Sequence, residues 1–560
     1  MATFAFHDDV PGTEILVDVG HNVDAAHNNG KGDILFIPQP TSYAGDPLNW
    51  SAWKKYYQLF LLALYACAFS YGENTLGAAW ETVSEDTGVS LTNMNGGSAL
   101  NYLLLGFCNI FWIPTAMKIG RRPVFLATTT ICMCAGVWLG RFNGTASWML
   151  SMCLNGLGTS AYQAVIQLSI FDTFFAHERG RALSYYLFGQ QLGSILGLIT
   201  GGSIADGPGW RWSQYIVAII DAGVLVLLIL TFEETLFPRF LFNRQINSLP
   251  VHASTDDPAV LKSASQDIDP DKHDISWPAL TTSPSNTGST TVSNFDYPKR
   301  TFVQRLKPWV FYPEDRTSYW QYFRRPFILF TFPNVVIAGI IFAFGCTAGI
   351  VSFNTISEIM TQPPYSWSTT STGLLYLAAL IGSIVGWAVG VSSDFIVIRL
   401  ARRNGGVKEP EMRLWALCGS FVFAAVGYQS YGWGAQGGLH WLSVAFGVGC
   451  MIAHQVSACS IATAYAMECF PGISGELVVV LAICSSCINF AISYSVQPFI
   501  DAAGYGYAFL FFGLCVICSM IAAVPTVMYG VKGNMAREYQ IPIPNRSKSR
   551  LELPAFNLWK

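Results

Sequence analysis

Residues 101–140, NYLLLGFCNIFWIPTAMKIGRRPVFLATTTICMCAGVWLG, hold two apolar runs that meet at a basic turn. Each run approaches the ~20 residues that a helix needs to cross a hydrocarbon core of ~30 Å. In lipid the backbone must satisfy its own hydrogen bonds, and continuous apolar runs of this length predict helices rather than alternating strands. Working outward, further runs appear, twelve in all. They lie near 56–79, 94–117, 122–142, 147–174, 182–205 and 212–232, then 326–352, 373–396, 414–433, 440–466, 476–500 and 507–530. Alternating the loops puts 30 of the 32 Lys and Arg residues on one side, and only Arg141 and Arg211 on the other. Basic loops stay in the cytosol during insertion, so both termini are expected there. One missed or invented span would scramble this partition, which therefore supports the number twelve.

The fold class that follows is an all-α polytopic membrane protein with twelve transmembrane helices in two six-helix bundles. The expected divisions are a cytosolic tail at 1–55, a bundle at 56–232, a cytosolic linker at 233–325, a second bundle at 326–531 and a tail at 532–560. The linker's middle, 246–300, is rich in Ser, Thr, Pro and Asp and is expected to be disordered. Its end, KRTFVQRLKPWVFYPEDRTSYWQYFRRPF, mixes bases with aromatics. That mixture suits an interfacial segment, or a plain basic anchor. The six-loop-six layout suggests bundles related by an axis along the membrane normal, with a substrate site between them near midplane.

Composition narrows the class. The chain is 52% hydrophobic and 12% charged, about half the charge of a soluble protein. A net charge of −3 leaves no nucleic-acid footprint. Thirteen of the fourteen Cys fall inside predicted spans and Cys469 lies just past one, which suggests neither a disulfide framework nor a zinc site. Cys132/Cys134 and Cys484/Cys487 read as small packing residues. Residues 1–53 contain no apolar signal segment, so the first helix is expected to direct insertion. Phosphate loop, metal cluster and nucleophile constellation are all absent from the sequence. The expectation is a non-enzyme without cofactor or metal, driven by an ion gradient. The outer sequon Asn143-Gly144-Thr145 lies in a loop too short to be readily glycosylated.

Four features exceed a generic bundle. The turn at Lys118, Gly120, Arg121, Arg122 and Pro123 can latch one bundle to the other, or act as a topology signal alone. Asp172, ahead of His177-Glu178-Arg179-Gly180-Arg181, is a partner for Arg121. Gly189, Gly193, Gly197 and Gly201 recur every four residues on one helix face, followed by Gly202, and permit close backbone approach. Gly390-x3-Asp394, followed by Arg399, Arg402 and Arg403, takes the equivalent place in the second half. Arg121, Asp172 and Asp394 are therefore the gating candidates.

Together these features resemble the major facilitator superfamily and, within it, the fungal twelve-span drug:proton antiporter family, over about residues 46–539. DPLNW at 46–50, DTFFAHERGRALSYY at 172–186 and EETLFPR at 233–239 carry the likeness. The basic turn is similar to the family's G-x3-D-[RK]-x-G-R-R-P, with Met117 in the Asp position. Span five is similar to the antiporter motif G-x3-G-P-x2-G-G through Gly193, Gly197, Gly201 and Gly202, with Leu198 replacing the Pro. Met152 stands where the family carries an Arg in span four, so the usual proton route is not available unchanged. Sugar-porter loop signatures are absent.

An ionisable group deep in a span costs ~2.5–3.5 kcal/mol on insertion scales, so each is a functional candidate. Asp221 lies at the centre of span six, Glu73 in span one and His454 in span ten. Asp221 ranks first as proton-exchanging group because of its depth, then Glu73, then His454. The alternatives are headgroup contact for Glu73, pairing inside the bundle for Asp221 and packing for His454. Gln163, Gln167, Gln190 and Gln191 are candidates to orient a polar ligand or to join helices, and Tyr162, Tyr494 and Trp387 to supply aromatic walls. The resemblance implies proton-coupled efflux of a small amphipathic organic molecule such as a drug, toxin or secondary metabolite. Partners would be that substrate, protons and the lipid bilayer, with a functional monomer in the plasma membrane or, alternatively, a vacuolar or other endomembrane. Proton-coupled uptake of a nutrient or organic cation is a rival reading. A non-transporting sensor or scaffold built on the 233–325 linker is another.

Overall fold

The computed structural model describes residues 45–237 and 318–525 apart from 78, 368 and 471–473, together with Glu14–Ile15 and a few positions near 38–41 and 307–310. The expected disordered part of the linker and the tail at 532–560 lie outside the described residues. Helix α1 (Ala52–Asn74) starts where Ser51 Oγ accepts the Lys54 amide. The first half continues with a short α2 (Trp80–Thr87), then α3 (Leu91–Phe107) and α4 (Asn109–Lys118), which together form one span. It is completed by α5 (Arg121–Leu139), α6 (Thr145–Thr173), α7 (Arg179–Asp206) and α8 (Trp210–Thr231). The second half contains α9 (Tyr319–Leu329), α10 (Pro333–Thr361), α11 (Thr369–Leu375) and α12 (Leu377–Arg403). Then come α13 (Leu417–Gln436), α14 (Trp441–Cys469) and α15 (Ser474–Ile521), the last comprising two helices broken at Gly504, φ 82°.

Each expected span falls on a helix. Among the described residues, seven helical segments are long and apolar enough to cross a membrane, and one of them, Gly475–Pro525, holds two expected spans. The four expected spans outside that set are α1, α6, α7 and α13. Three of them, α1, α6 and α7, carry the Gly, Ser and Gln residues that face other helices, so burial against protein takes the place of lipid affinity. Several boundaries are corrected: α1 ends at Asn74 rather than 79, α10 runs to Thr361 rather than 352 and α12 to Arg403 rather than 396. Span seven does not begin at 326, because those residues belong to α9, and α10 starts at Pro333. A proline at the first helical position loses no hydrogen bond and sets the entry angle. Helix α9 is closed at its start by a reciprocal Ser318/Gln321 capping box and exposes Trp320 and Phe327. Its Tyr319 hydroxyl donates to the Phe111 carbonyl at 3.0 Å, so it lies along the basic-side half of the second span.

Glycines set the tightest contact. A Cβ at Gly193, Gly197 or Gly201 would fall inside the van der Waals envelope of the carbonyls of Cys67, Tyr71 and Thr75 respectively, and one at Gly189 would meet the Ala63 carbonyl at 3.0 Å. Both rows advance by four residues, so α1 and α7 lie backbone to backbone along one ridge. The opposite face of α7 meets α12 and α14, while α15 packs on α3, and these contacts join the halves. On the side opposite the basic loops, Arg211 pairs with Asp86, whose carboxyl is held below the usual carboxylate range by hydrogen bonds from Trp210 and Arg211.

Gly193→Val should lower the melting temperature of the purified protein and its yield as a single species, because overpacking a tight contact costs about 1–3 kcal/mol. Gly223 faces open space. Gly223→Ala should leave the melting temperature unchanged or raise it.

Candidate functional site

Between the halves lies a cavity of about 80 Å³. It is smaller than the ~300–1,000 Å³ of an occupied ligand pocket, so this conformation holds the site contracted. The first half contributes Ser70, Glu73 and Asn74 from α1, Tyr102 and Leu105 from α3, Tyr162 and Gln163 from α6, and Gln190, Gln191 and Ser194 from α7. The second half contributes Cys346, Gly349, Ile350, Phe353 and Asn354 from α10, Gln455 from α14, and Ser486 and Asn489 from α15. The glycine ridge of α7 is what brings Ser70 and Ser194 together, 2.6 Å apart, with Asn74 reaching Ser194 Oγ at 3.3 Å.

Among the described residues, Glu73 is the carboxylate in this lining, which holds no Lys, Arg or His. The Tyr162 hydroxyl donates to Glu73 Oε2 at 3.0 Å, and Gln190 Nε2 lies 3.5 Å from that hydroxyl. Asn101 and Thr159 are its other polar neighbours. The group is therefore held by neutral donors, and its charge is not cancelled in place.

On the basic side of the cavity the halves are closed. The Arg181 amide donates to Asp394 Oδ2 at 2.9 Å, Ser184 and Ser460 hydroxyls meet at 3.0 Å, and Gly475 packs against Met117. Asp394 is clamped by Arg413 at 2.8 Å. Arg413 also takes Glu468 at 2.8 Å, and Lys408 reaches the same Glu468 oxygen at 3.0 Å. All four side chains are buried, so two cations and two anions balance away from water. The first-half counterpart is looser. Arg121 Nε lies 3.1 Å from Asp172 Oδ2, Arg121 Nη1 donates to the Ala116 carbonyl at 2.6 Å, and Nη2 lies 3.4 Å from the Met117 sulfur. Glu234 accepts the Arg121 and Arg122 amides at 2.8 and 3.0 Å, a carboxylate on the N-terminus of α5. Glu233 pairs with Lys54 at 2.6 Å.

The Major Facilitator Superfamily model matches residues 62–486. The chain belongs to that superfamily. An uncharacterized transporter of the same type from Schizosaccharomyces pombe is 26% identical over 541 residues, covering 93% of this chain and 92% of its own. Protein HOL1 of Saccharomyces cerevisiae is 26% identical over 531 residues, covering 89% of each. Among solved structures, the proton:xylose symporter XylE aligns with a TM-score of 0.56 at 13% identity, covering 85% of this chain and 97% of its own. At that identity the likeness concerns the fold alone. This facilitator is thus a fungal-type membrane transporter and not an enzyme.

Several candidate residues sit elsewhere than the sequence suggests. Asp221 is 1% exposed inside the first bundle, beside Tyr65 and Cys132, and does not line the cavity. Depth along a span says nothing about the direction a side chain takes around the helix. His454 is buried in the second bundle with Nδ1 2.9 Å from Ser420 Oγ, while its neighbour Gln455 faces the cavity. Gln167 donates to the Tyr186 hydroxyl at 3.1 Å and joins helices. Tyr494 is 58% exposed on the outer face of its helix and stacks on Phe490. Trp387 packs on Tyr185 outside the lining. Asp394, expected as a gating residue, pairs with Arg413. Gln163, Gln190, Gln191 and Tyr162 do line the cavity, and Gly193, Gly197 and Gly201 form the α1 contact. Asn354, Asn489 and Ser486 were missed, although isolated polar residues within apolar runs were the signal available.

Arg413→Met should destabilise the protein by about 3–5 kcal/mol, since two buried carboxylates would then share Lys408. Arg121→Met should cost less, because Asp172 is partly exposed. Thermal unfolding in detergent would compare the two, and an equal loss would contradict the asymmetry. Met117→Asp should tighten closure of the basic side, read as reduced modification of a reporter cysteine in the cavity from that side.

Proposed function

We propose that this protein is a proton-coupled secondary transporter that exchanges a small, positively charged organic molecule for protons, with Glu73 as the group for which both compete. The observation that carries this reading is a lining with one carboxylate, no basic side chain, and amides, hydroxyls and a tyrosine around it. A buried carboxylate is costly unless it is neutralised, by a proton or by a cation. One group with two mutually exclusive partners enforces exchange, because the cation leaves as the proton arrives. Symport would call for a second titratable group at the site. The polar lining favours a hydrophilic amine or ammonium compound over a bulky amphipathic drug, whose apolar surface would meet little beyond Leu105, Ile350 and Phe353.

With the basic loops in the cytosol, closure at Asp394 and Arg121 corresponds to the state shut to the cytosol. In the plasma membrane, inward protons would then drive export. In an acidic endomembrane compartment the same exchange would load the lumen. One cavity per chain suffices, so a monomer is the working unit.

Proteoliposomes carrying the purified protein and a panel of labelled mono- and polyamines would test this under an imposed pH difference. Wild type should accumulate at least one amine on the acidic side. Glu73→Gln should abolish pH-driven accumulation, whereas Asp221→Asn should retain it. Apparent affinity should rise about tenfold per pH unit while Glu73 is mostly protonated, because each cation bound then releases one proton. Uphill transport surviving in Glu73→Gln would sink the assignment.

A further inference from the structure

Cys346 of α10 and Cys459 of α14 place their sulfurs 3.6 Å apart, nearly in contact. The pair stands at the seam between the halves. Cys346 lines the cavity, and the Gln163 side-chain amide of α6 points at its sulfur from 3.8 Å. Cys459 is 1% exposed, and its thiol donates to the Phe342 carbonyl at 3.6 Å. Helix packing leaves little slack there, since Cys459 Sγ lies 2.8 Å from where a Cβ on neighbouring Gly345 would stand. Cys346 and Cys459 are both free thiols.

Two thiols in contact, one of them facing a cavity, make a chelating dithiol. We propose that Cys346 and Cys459 form a binding site for a trivalent arsenical, which caps the sulfur pair, fills the cavity and staples α10 to α14. The geometry selects this class. A linear two-coordinate soft metal holds its sulfurs on opposite sides, about two bonds of ~2.3 Å apart. Trivalent arsenic binds two sulfurs at close to a right angle and needs them almost touching. The step balances without an oxidant. With an organoarsenic oxide, two S–H bonds break and two As–S bonds form. The oxide oxygen leaves as water with both protons, and arsenic remains trivalent. The organic substituent then occupies the space beside Gln163, on the path between the halves.

The test uses purified full-length protein, kept reduced and treated with phenylarsine oxide, with adducts counted by intact mass. Other cysteines contribute equally to every sample, so the difference is what is read. Wild type should carry one adduct more than Cys346→Ser or Cys459→Ser. The double variant should lose no more than either single one, because one arsenic occupies both sulfurs. Stoichiometric 2,3-dimercaptopropanol should strip that adduct, and the same amount of mercaptoethanol should not. The arsenical should also raise the melting temperature of wild type and leave the single variants unmoved. A wild-type adduct count in either single variant, or a loss of two in the double variant, would overturn the proposal.

Discussion

The structure depends on the backbone contact between α1 and α7. In hydrocarbon there is no hydrophobic drive to join helices, so association rests on close packing and on hydrogen bonds that water does not contest. Glycine at 189, 193, 197 and 201 lets α7 sit against the carbonyl row of α1. That contact brings Ser70, Glu73 and Asn74 beside Gln190, Gln191 and Ser194, which is a third of the cavity lining. The other face of α7 begins with the amide of Arg181 on Asp394 and continues through Ser184 on Ser460. One helix therefore shapes the site with one face and closes the basic side with the other.

Burial of charge follows a different logic in the two halves. At the basic end of the second half, Arg413 and Lys408 face Asp394 and Glu468 at 2.8–3.0 Å, and each charge is answered in place. Such a cluster gains little net stability over apolar packing, but losing one member is expensive. It specifies one arrangement of loop and helices. In the first half, Met117 removes the symmetrical anion, and the turn is instead tied down by Glu234 on the N-terminus of α5. The basic end of the second half thus carries a buried four-charge cluster, and that of the first half the partly exposed Arg121–Asp172 ion pair.

Among the described residues, no cation lies beside Glu73 in the cavity lining. Its partner Tyr162 comes from α6 and the surrounding amides come from α7, so the group is oriented but not neutralised. Asp221 lies at the middle of α8, whereas Glu73 stands near the end of α1, yet Asp221 faces its own bundle beside Tyr65 and Cys132, away from the cavity lining. The two carboxyl groups meet different surroundings according to which way each helix turns its side chain.

The sequence by itself determined the membrane class, the helical spans and the side that carries the basic loops, because run length and loop charge are read one residue at a time. It also determined the glycine face of α7, since a spacing of four maps directly onto one side of a helix. The Arg121–Asp172 proximity was legible from two short motifs. Only the tertiary structure decided that Glu73, and not Asp221, His454 or Tyr494, belongs to the cavity. It alone identified Arg413 as the partner of Asp394 and brought Cys346 to Cys459, more than a hundred residues away. Apolar runs that are buried on one side by protein and on the other by lipid carry almost no amphipathic signal. The rotation of each helix is therefore set by packing against its neighbours, and a single sequence does not encode that rotation in any local pattern.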